Sequence, residues 1–289
     1  MLDAKKIAQL RKLKVLSKKI FNSNVAGEYK SFLSGSGFDF LKLRNYEESD
    51  DIRFLDWNAF AKTQSLLIRE TAPERDRALI IALDCSASQN YSSQEYLKSE
   101  IALELAYALA WLGLQNKDRV GFLAFGGSEK PSWLNFSKNR EHLFSIFDLA
   151  TELMGKLKEG SIKSALDFLF DLKSKKSILF LVSDFLEKDL DSLKKKILFL
   201  SKKHSIVPIL VNDPKEGGLQ DLNLIIKCSD PETGEITSLS MDQELNDHLE
   251  KQQRSIINFF KGLGLRPMIA KTTEPALEQL VSYFGGSHL

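Results

Sequence analysis

From Arg77 onward the chain alternates between two rhythms of apolar and polar positions. Continuous apolar runs of strand length recur at Leu79–Leu83, Val120–Phe125, Ile178–Val182 and Ile206–Val211. Such runs mark strands buried on both faces. Trp133–Phe136 and Arg266–Ala270 give two shorter strands. Between them the apolar spacing changes to three and four. Glu95–Leu114 places Ile101, Leu105, Leu109 and Leu112 on one helical face, and further helices are predicted over Leu143–Leu153, Ile162–Leu172, Leu190–Ser201 and Pro275–Tyr283. Six strands separated mostly by helices imply an α/β fold with a mostly parallel, doubly wound, Rossmann-like sheet covered on both faces. Between the fifth and sixth strands, Leu224–Ser240 predicts a hairpin around Asp230-Pro-Glu-Thr-Gly-Glu235, and Gln243–Gly262 a helix. The expected division is residues 1–76 as an N-terminal extension and 77–289 as the α/β domain, with an insert over about 219–262.

The extension changes the picture of charge. Across the 289 residues the formal net charge is only +1, yet residues 1–30 hold eight Lys or Arg against Asp3 and Glu28, a local excess of 8 − 2 = +6. Ile7, Leu10, Leu13, Leu16 and Ile20 recur at about helical spacing, so this arm reads as an amphipathic basic helix. It is expected to dock by its apolar stripe on its own domain; the alternative is peripheral contact with an anionic membrane surface or an acidic partner. A nucleic-acid partner is not expected, because no base-reading element accompanies the basic stretch. No apolar run reaches the roughly 18 residues that span a bilayer. The start of the chain lacks the apolar core of a secretory signal, and the chain has two cysteines, Cys85 and Cys228. The expected setting is a reducing cytoplasm, with Cys85 as a small buried spacer.

In doubly wound sheets ligands sit beyond the carboxyl ends of the strands where strand order reverses, between strands 1 and 4 in the order 3-2-1-4-5-6. Strand 1 runs into Asp84-Cys-Ser-Ala-Ser88 and strand 4 into Ser183-Asp184. Asp84, Ser86 and Ser88 lie two residues apart and can point the same way in an extended loop. Two carboxylates and two hydroxyls at one crevice suit Mg²⁺ or Mn²⁺, hard cations that prefer oxygen ligands. Neutral hydroxyls leave such an ion partly uncompensated and open to an anion from outside. The plainer alternative is that Asp84 and Asp184 cap the helices that follow.

Enzyme classes find little support. The four histidines, His142, His204, His248 and His288, show no metal-binding spacing, no Gly-x-Ser-x-Gly elbow occurs, and there is no Gly-x-x-x-x-Gly-Lys-Ser/Thr loop for nucleotide. A phosphatase of the haloacid-dehalogenase type wants an acid at position 86, where this chain has Ser86. A metal-dependent phosphoesterase remains the rival reading, and a metal-free scaffold a third.

Asp84-x-Ser86-x-Ser88 followed by Ser183-Asp184 resembles the metal-ion-dependent adhesion site of von Willebrand factor A domains. Upstream, Leu43-Arg-Asn-Tyr46, Asp50-Asp-Ile-Arg-Phe-Leu-Asp-Trp57 and Ala61-Lys62 resemble the signature of domain-of-unknown-function family 58, over about residues 25–285. The resemblance implies a von Willebrand A-like domain in which Asp84, Ser86, Ser88 and Asp184 hold Mg²⁺. The third loop's ligand falls at Gly160 or Ser161, of which only Ser161 carries a hydroxyl. It also implies a partner rather than a reaction: a MoxR-type AAA+ ATPase, with the chain as an adaptor in assembly or metal loading of other proteins. Residues 44–77 carry two readings. In one they are a structural cover, with Asp50, Asp51, Arg53 and Asp56 in ion pairs and Trp57 packed on the sheet. In the other the same residues form a docking surface beside the metal, since exposed Trp and Arg are common interface anchors.

Overall fold

The computed structural model describes residue 15 and residues 18–20, 23–35, 40–48, 50–71, 77–92, 96–126, 130–157, 162–186, 190–213, 225–229, 236–240 and 243–286. Its centre is a six-stranded sheet: β3 (Ala78–Asp84), β4 (Arg119–Phe125), β5 (Ser132–Ser137), β6 (Ile178–Ser183), β7 (Ser205–Asn212) and β10 (Met268–Lys271). The order across the sheet is β10-β7-β6-β3-β4-β5. All neighbours run parallel except β5, which lies antiparallel on β4 at one edge. The predicted six strands and their order are therefore present, and order reverses between β3 and β6, where the sequence placed the crevice.

The two-residue period of the central strands sorts their side chains between two cores. Leu79, Ile81 and Leu83 enter one, with α3 (Lys98–Gln115), α4 (His142–Leu153) and α8 (Ala276–Gly285); Ile80 and Ala82 enter the other, with α5 (Ile162–Asp171), α6 (Leu190–Lys203) and the end of α7 (Gln243–Gly262). Every residue of β3 and β6 is buried, as parallel strands covered on both faces require. The insert also has its predicted form, an antiparallel hairpin of β8 (Ile225–Ser229) and β9 (Ile236–Ser240) ahead of α7.

The N-terminal extension is less separate than expected. Helix α1 (Val25–Gly35) lays Val25, Tyr29, Phe32 and Leu33 into the same core as β3, and Ile20 just before it is fully buried. The Phe284 ring of α8 stacks at tilted angles on Tyr29 (5.4 Å) and Phe32 (4.8 Å), so residues 20–33 are part of the domain core. Residues 1–14 of the basic arm lie outside the described residues. Segment 40–71 holds an antiparallel pair that the apolar pattern did not announce, β1 (Phe40–Asn45) with β2 (Leu67–Thr71), joined through the short helix α2 (Trp57–Thr63). Its strands are too polar to read as buried runs.

Two expectations follow. Phe284→Ala removes the ring that joins α1 to α8 and is expected to lower stability by about 3 kcal/mol, read as a shift in the urea midpoint at unchanged slope. His204, at the turn from α6 into β7, is buried, and burial, helped by Lys203, pulls its pKa down to about 4. A depressed histidine takes up its proton more readily in the unfolded chain. Its contribution is whole above about pH 6.5 and is lost as pH falls through about 4. Unfolding titrations should show stability rising with pH across that window, with a shallower slope in His204→Leu.

Candidate metal and partner-docking site

The first half of the site grows from the end of β3. Cys85 continues the sheet by donating its N–H to Phe125 O (2.7 Å), and the chain then leaves the strand. Ser86 N–H donates to Asp84 Oδ1 (2.9 Å), which folds the loop back over its own aspartate, and Ser86 Oγ lies 2.9 Å from Ser88 Oγ. Asp84, Ser86 and Ser88 are therefore gathered by local bonding. Residues Ala87–Asn90 form a single 3₁₀ turn whose N-cap is Ser86, so Asp84 is not that turn's cap.

The second half comes from β6. Ser183 Oγ donates to Asp84 Oδ2 (2.7 Å) and accepts the Phe185 N–H (3.0 Å); Asp184 Oδ1 accepts the Leu186 N–H (3.3 Å). Asp84 and Asp184 are 3% and 5% exposed. Burial, reinforced by the field of Asp184, raises the pKa of Asp84 above the usual carboxylate range. The two strand ends are thus stitched by one serine, and two carboxylates share one desolvated crevice.

The neighbouring segment, up to Leu157, is pinned to the loop as well. Ala87 N–H donates to Leu157 O (2.8 Å), Gly155 N–H to Cys85 O (2.9 Å), and Asn90 Nδ2 to Gly155 O (3.0 Å). The third loop therefore sets out from the crevice, while Gly160 and Ser161 themselves lie outside the described residues. Gly155 has φ +70°, and a Cβ there would sit 2.1 Å from Asn90 Nδ2. Only glycine fits that approach.

Two contributors were missed in the sequence. Ser183 was read as part of a motif, and its bridging bond to Asp84 could not be seen. Lys98, the first residue of α3, is fully buried, and its Nζ donates to Asp184 Oδ2 at 2.9 Å. The signal was available: Lys98 lies three, seven and fourteen positions before Ile101, Leu105 and Leu112, on the helix's apolar face. Ahead of it Ser92 Oγ donates to Tyr96 O (2.6 Å) and lies 3.4 Å from buried Asp213 Oδ2, just past β7, which accepts from Thr272 Oγ1 (2.9 Å).

Among the described residues no three His, Cys, Asp or Glu side chains gather as a metal group. The set is two carboxylates with serine hydroxyls. All-oxygen chemistry of this kind fits a hard divalent cation, which Asp84, Ser86, Ser88 and Asp184 would hold.

The predicted docking residues lie in the β1–β2 unit. Arg44 makes a two-pronged bond to Asp50 (2.6 and 2.5 Å) and holds its carboxyl down at about 2, with help from the Glu47 N–H. Arg53 pairs with Asp51 in the open (2.6 Å), an exposed contact of small energetic worth. Asp56 serves as the N-cap of α2, accepting the Ala59 N–H at 2.9 Å. The cover reading had Trp57 packed on the sheet; it is instead 61% exposed, edge-on to Phe60 at 6.2 Å, because α2 buries none of its residues. Ile52, five residues earlier, is also exposed.

A doubly wound sheet with an Asp-x-Ser-x-Ser loop and a second aspartate at the switch point resembles a von Willebrand A-like domain. The family model "Protein of unknown function DUF58" matches residues 42–256, well over half of the chain, and the protein belongs to that family. It is 23% identical over 288 residues, covering 97% of this chain and 89% of the relative, to the uncharacterized proteins Rv1480 of Mycobacterium tuberculosis and Mb1516 of Mycobacterium bovis. Solved structures similar to it include the conserved hypothetical protein BatB from Bacteroides thetaiotaomicron (14% identity, TM-score 0.43, 73% of this chain and 99% of that one). The SpRpn10 VWA domain is another (11%, 0.42, 72% and 94%). Among the described residues no helix is long and apolar enough to cross a membrane.

Gly155→Ala is expected to lower stability by about 1–3 kcal/mol through strain and displacement of Asn90, measured by chemical unfolding. A distant Gly262→Ala, which meets nothing within 4 Å, should not destabilise.

Proposed function

We propose that the chain is a non-enzymatic protein-interaction module that engages an acidic group of a partner at the β3/β6 crevice. One observation carries this: the bond from Ser183 to Asp84 that joins two separate oxygen-bearing strand ends in one desolvated place. Asp84, Ser86, Ser88 and Asp184, with Ser161 on the third loop, would hold Mg²⁺ or Mn²⁺. When bound, the ion supplies an electropositive position that accepts a carboxylate from outside. The chain's residues provide the rest. Ser183 and the Ser86 N–H orient Asp84, burial excludes water, and among the described residues no histidine bonds to either aspartate. Family membership and the resemblance it bears out support a MoxR-type AAA+ ATPase as the partner, in assembly or maturation of other proteins. The buried free thiol of Cys85 is compatible with work in the cytoplasm.

The β1–β2 unit fits the same reading as a second contact. Trp57, Ile52 and Arg53 are all exposed, and Trp and Arg are the residue types that interface hot spots favour.

Capture of a purified MoxR-type ATPase is expected to fall at least tenfold in Asp84→Ala and with chelator, and several-fold in Trp57→Ala, while generic phosphoesters are not turned over with Mg²⁺. Phosphoester hydrolysis that disappears in Asp84→Ala would instead identify a hydrolase. Capture that survives both Asp84→Ala and chelator would identify a metal-free scaffold.

A further inference from the structure

We propose that Lys98 is the crevice's built-in cation, an internal counter-ion that opposes entry of a free divalent ion. Three observations converge on it. Lys98 is fully buried, an uncommon position for a lysine, and it is held 2.9 Å from Asp184 Oδ2. It stands at the first position of the 18-residue helix α3, where the helix's own partial charge is positive and disfavours a cation. Helix geometry does not account for an ammonium there; the Asp184 carboxylate does. Finally, all four carboxylate oxygens already accept hydrogen bonds, Asp84 from the Ser86 N–H and Ser183 Oγ, Asp184 from the Leu186 N–H and Lys98.

The charges decide how the site responds. Asp84, Asp184 and Lys98 sum to −1 when both acids are ionised. A 2+ ion entering beside Lys98 brings the sum to +1, a surplus that a poorly solvated crevice tolerates badly. One carboxylate from a partner cancels it. With Lys98 neutralised by substitution, the two aspartates and the ion sum to zero without any partner. The lysine therefore makes ion loading conditional on an acidic ligand and lets the domain fold with one of its two aspartate charges compensated and no metal bound. This inference rests on the reading of the crevice as a cation-dependent docking site and adds a control to it.

The test is calorimetric titration of Mn²⁺ into the full chain and into Lys98→Met and Lys98→Gln, with thermal melts in chelator and in Mn²⁺. The expected result is that both variants bind Mn²⁺ at least tenfold more tightly than the parent. Their melting temperatures should drop in chelator and recover in Mn²⁺, while the parent melts alike in both. Adding Asp184→Asn to Lys98→Met should restore the melting temperature in chelator. Equal Mn²⁺ affinity in parent and variants overturns the Lys98 inference and leaves the metal reading standing. No Mn²⁺ binding by any of the three overturns both. If neither variant folds, the parent alone decides: Mn²⁺ binding that tightens at least tenfold when a soluble carboxylate such as acetate is added upholds the inference, and micromolar binding without it, or no tightening with it, overturns it.

Discussion

Two aspartates buried in one crevice repel each other and lose their water, and most of what surrounds them answers that problem. Each carboxylate oxygen receives a hydrogen bond, and a buried ammonium lies against Asp184. Removing a single partner from such a group leaves a charge with no compensation, which is strongly destabilising, whereas an intact pair adds little net stability. An arrangement of this kind is better suited to function than to holding the fold together. The sheet does the latter: β3 and β6 are buried along their whole length between two apolar layers.

The fold and the crevice support each other through geometry. Parallel pairing of β3 with β6 sets Leu83 beside Val182, so the residues just beyond both strands emerge together at one edge. Parallel pairing of β3 with β4 sets Asp84 beside Phe125, and the Cys85 bond to Phe125 O carries the ladder one residue further. The loop is thereby held on one side by β4 and on another by Leu157 and Gly155, and its serines are kept near the aspartate. A binding surface prepared in this way loses little conformational entropy on engagement.

Much of this was legible in the sequence, for physical reasons that differ from element to element. Buried parallel strands must be apolar without interruption, so β3, β4, β6 and β7 announced themselves, and the switch-point rule then located the two aspartates. The β1–β2 pair did not, because its residues Phe40-Leu-Lys-Leu-Arg-Asn45 and Leu67-Ile-Arg-Glu-Thr71 mix charge with apolar character. Trp57 misled in one reading because an indole usually signals burial, yet it opens a helix with no buried face. Lys98 drew no notice in the sequence, although its register with Ile101, Leu105 and Leu112 puts it on the inner face. The apolar residues of the N-terminal extension were read as a docking stripe. Ile20 meets that expectation, and the adjoining α1 goes further by packing into the core itself.

The central claim is that an ammonium sits in contact with the Asp184 carboxylate of the crevice, out of reach of water. Nitrogen-15 NMR of the Lys98 side chain tests it most directly. The account predicts a slowly exchanging, hydrogen-bonded ammonium resonance at neutral pH that shifts in Asp184→Asn. A Lys98 signal exchanging with water as fast as those of surface lysines, and indifferent to Asp184, would contradict it.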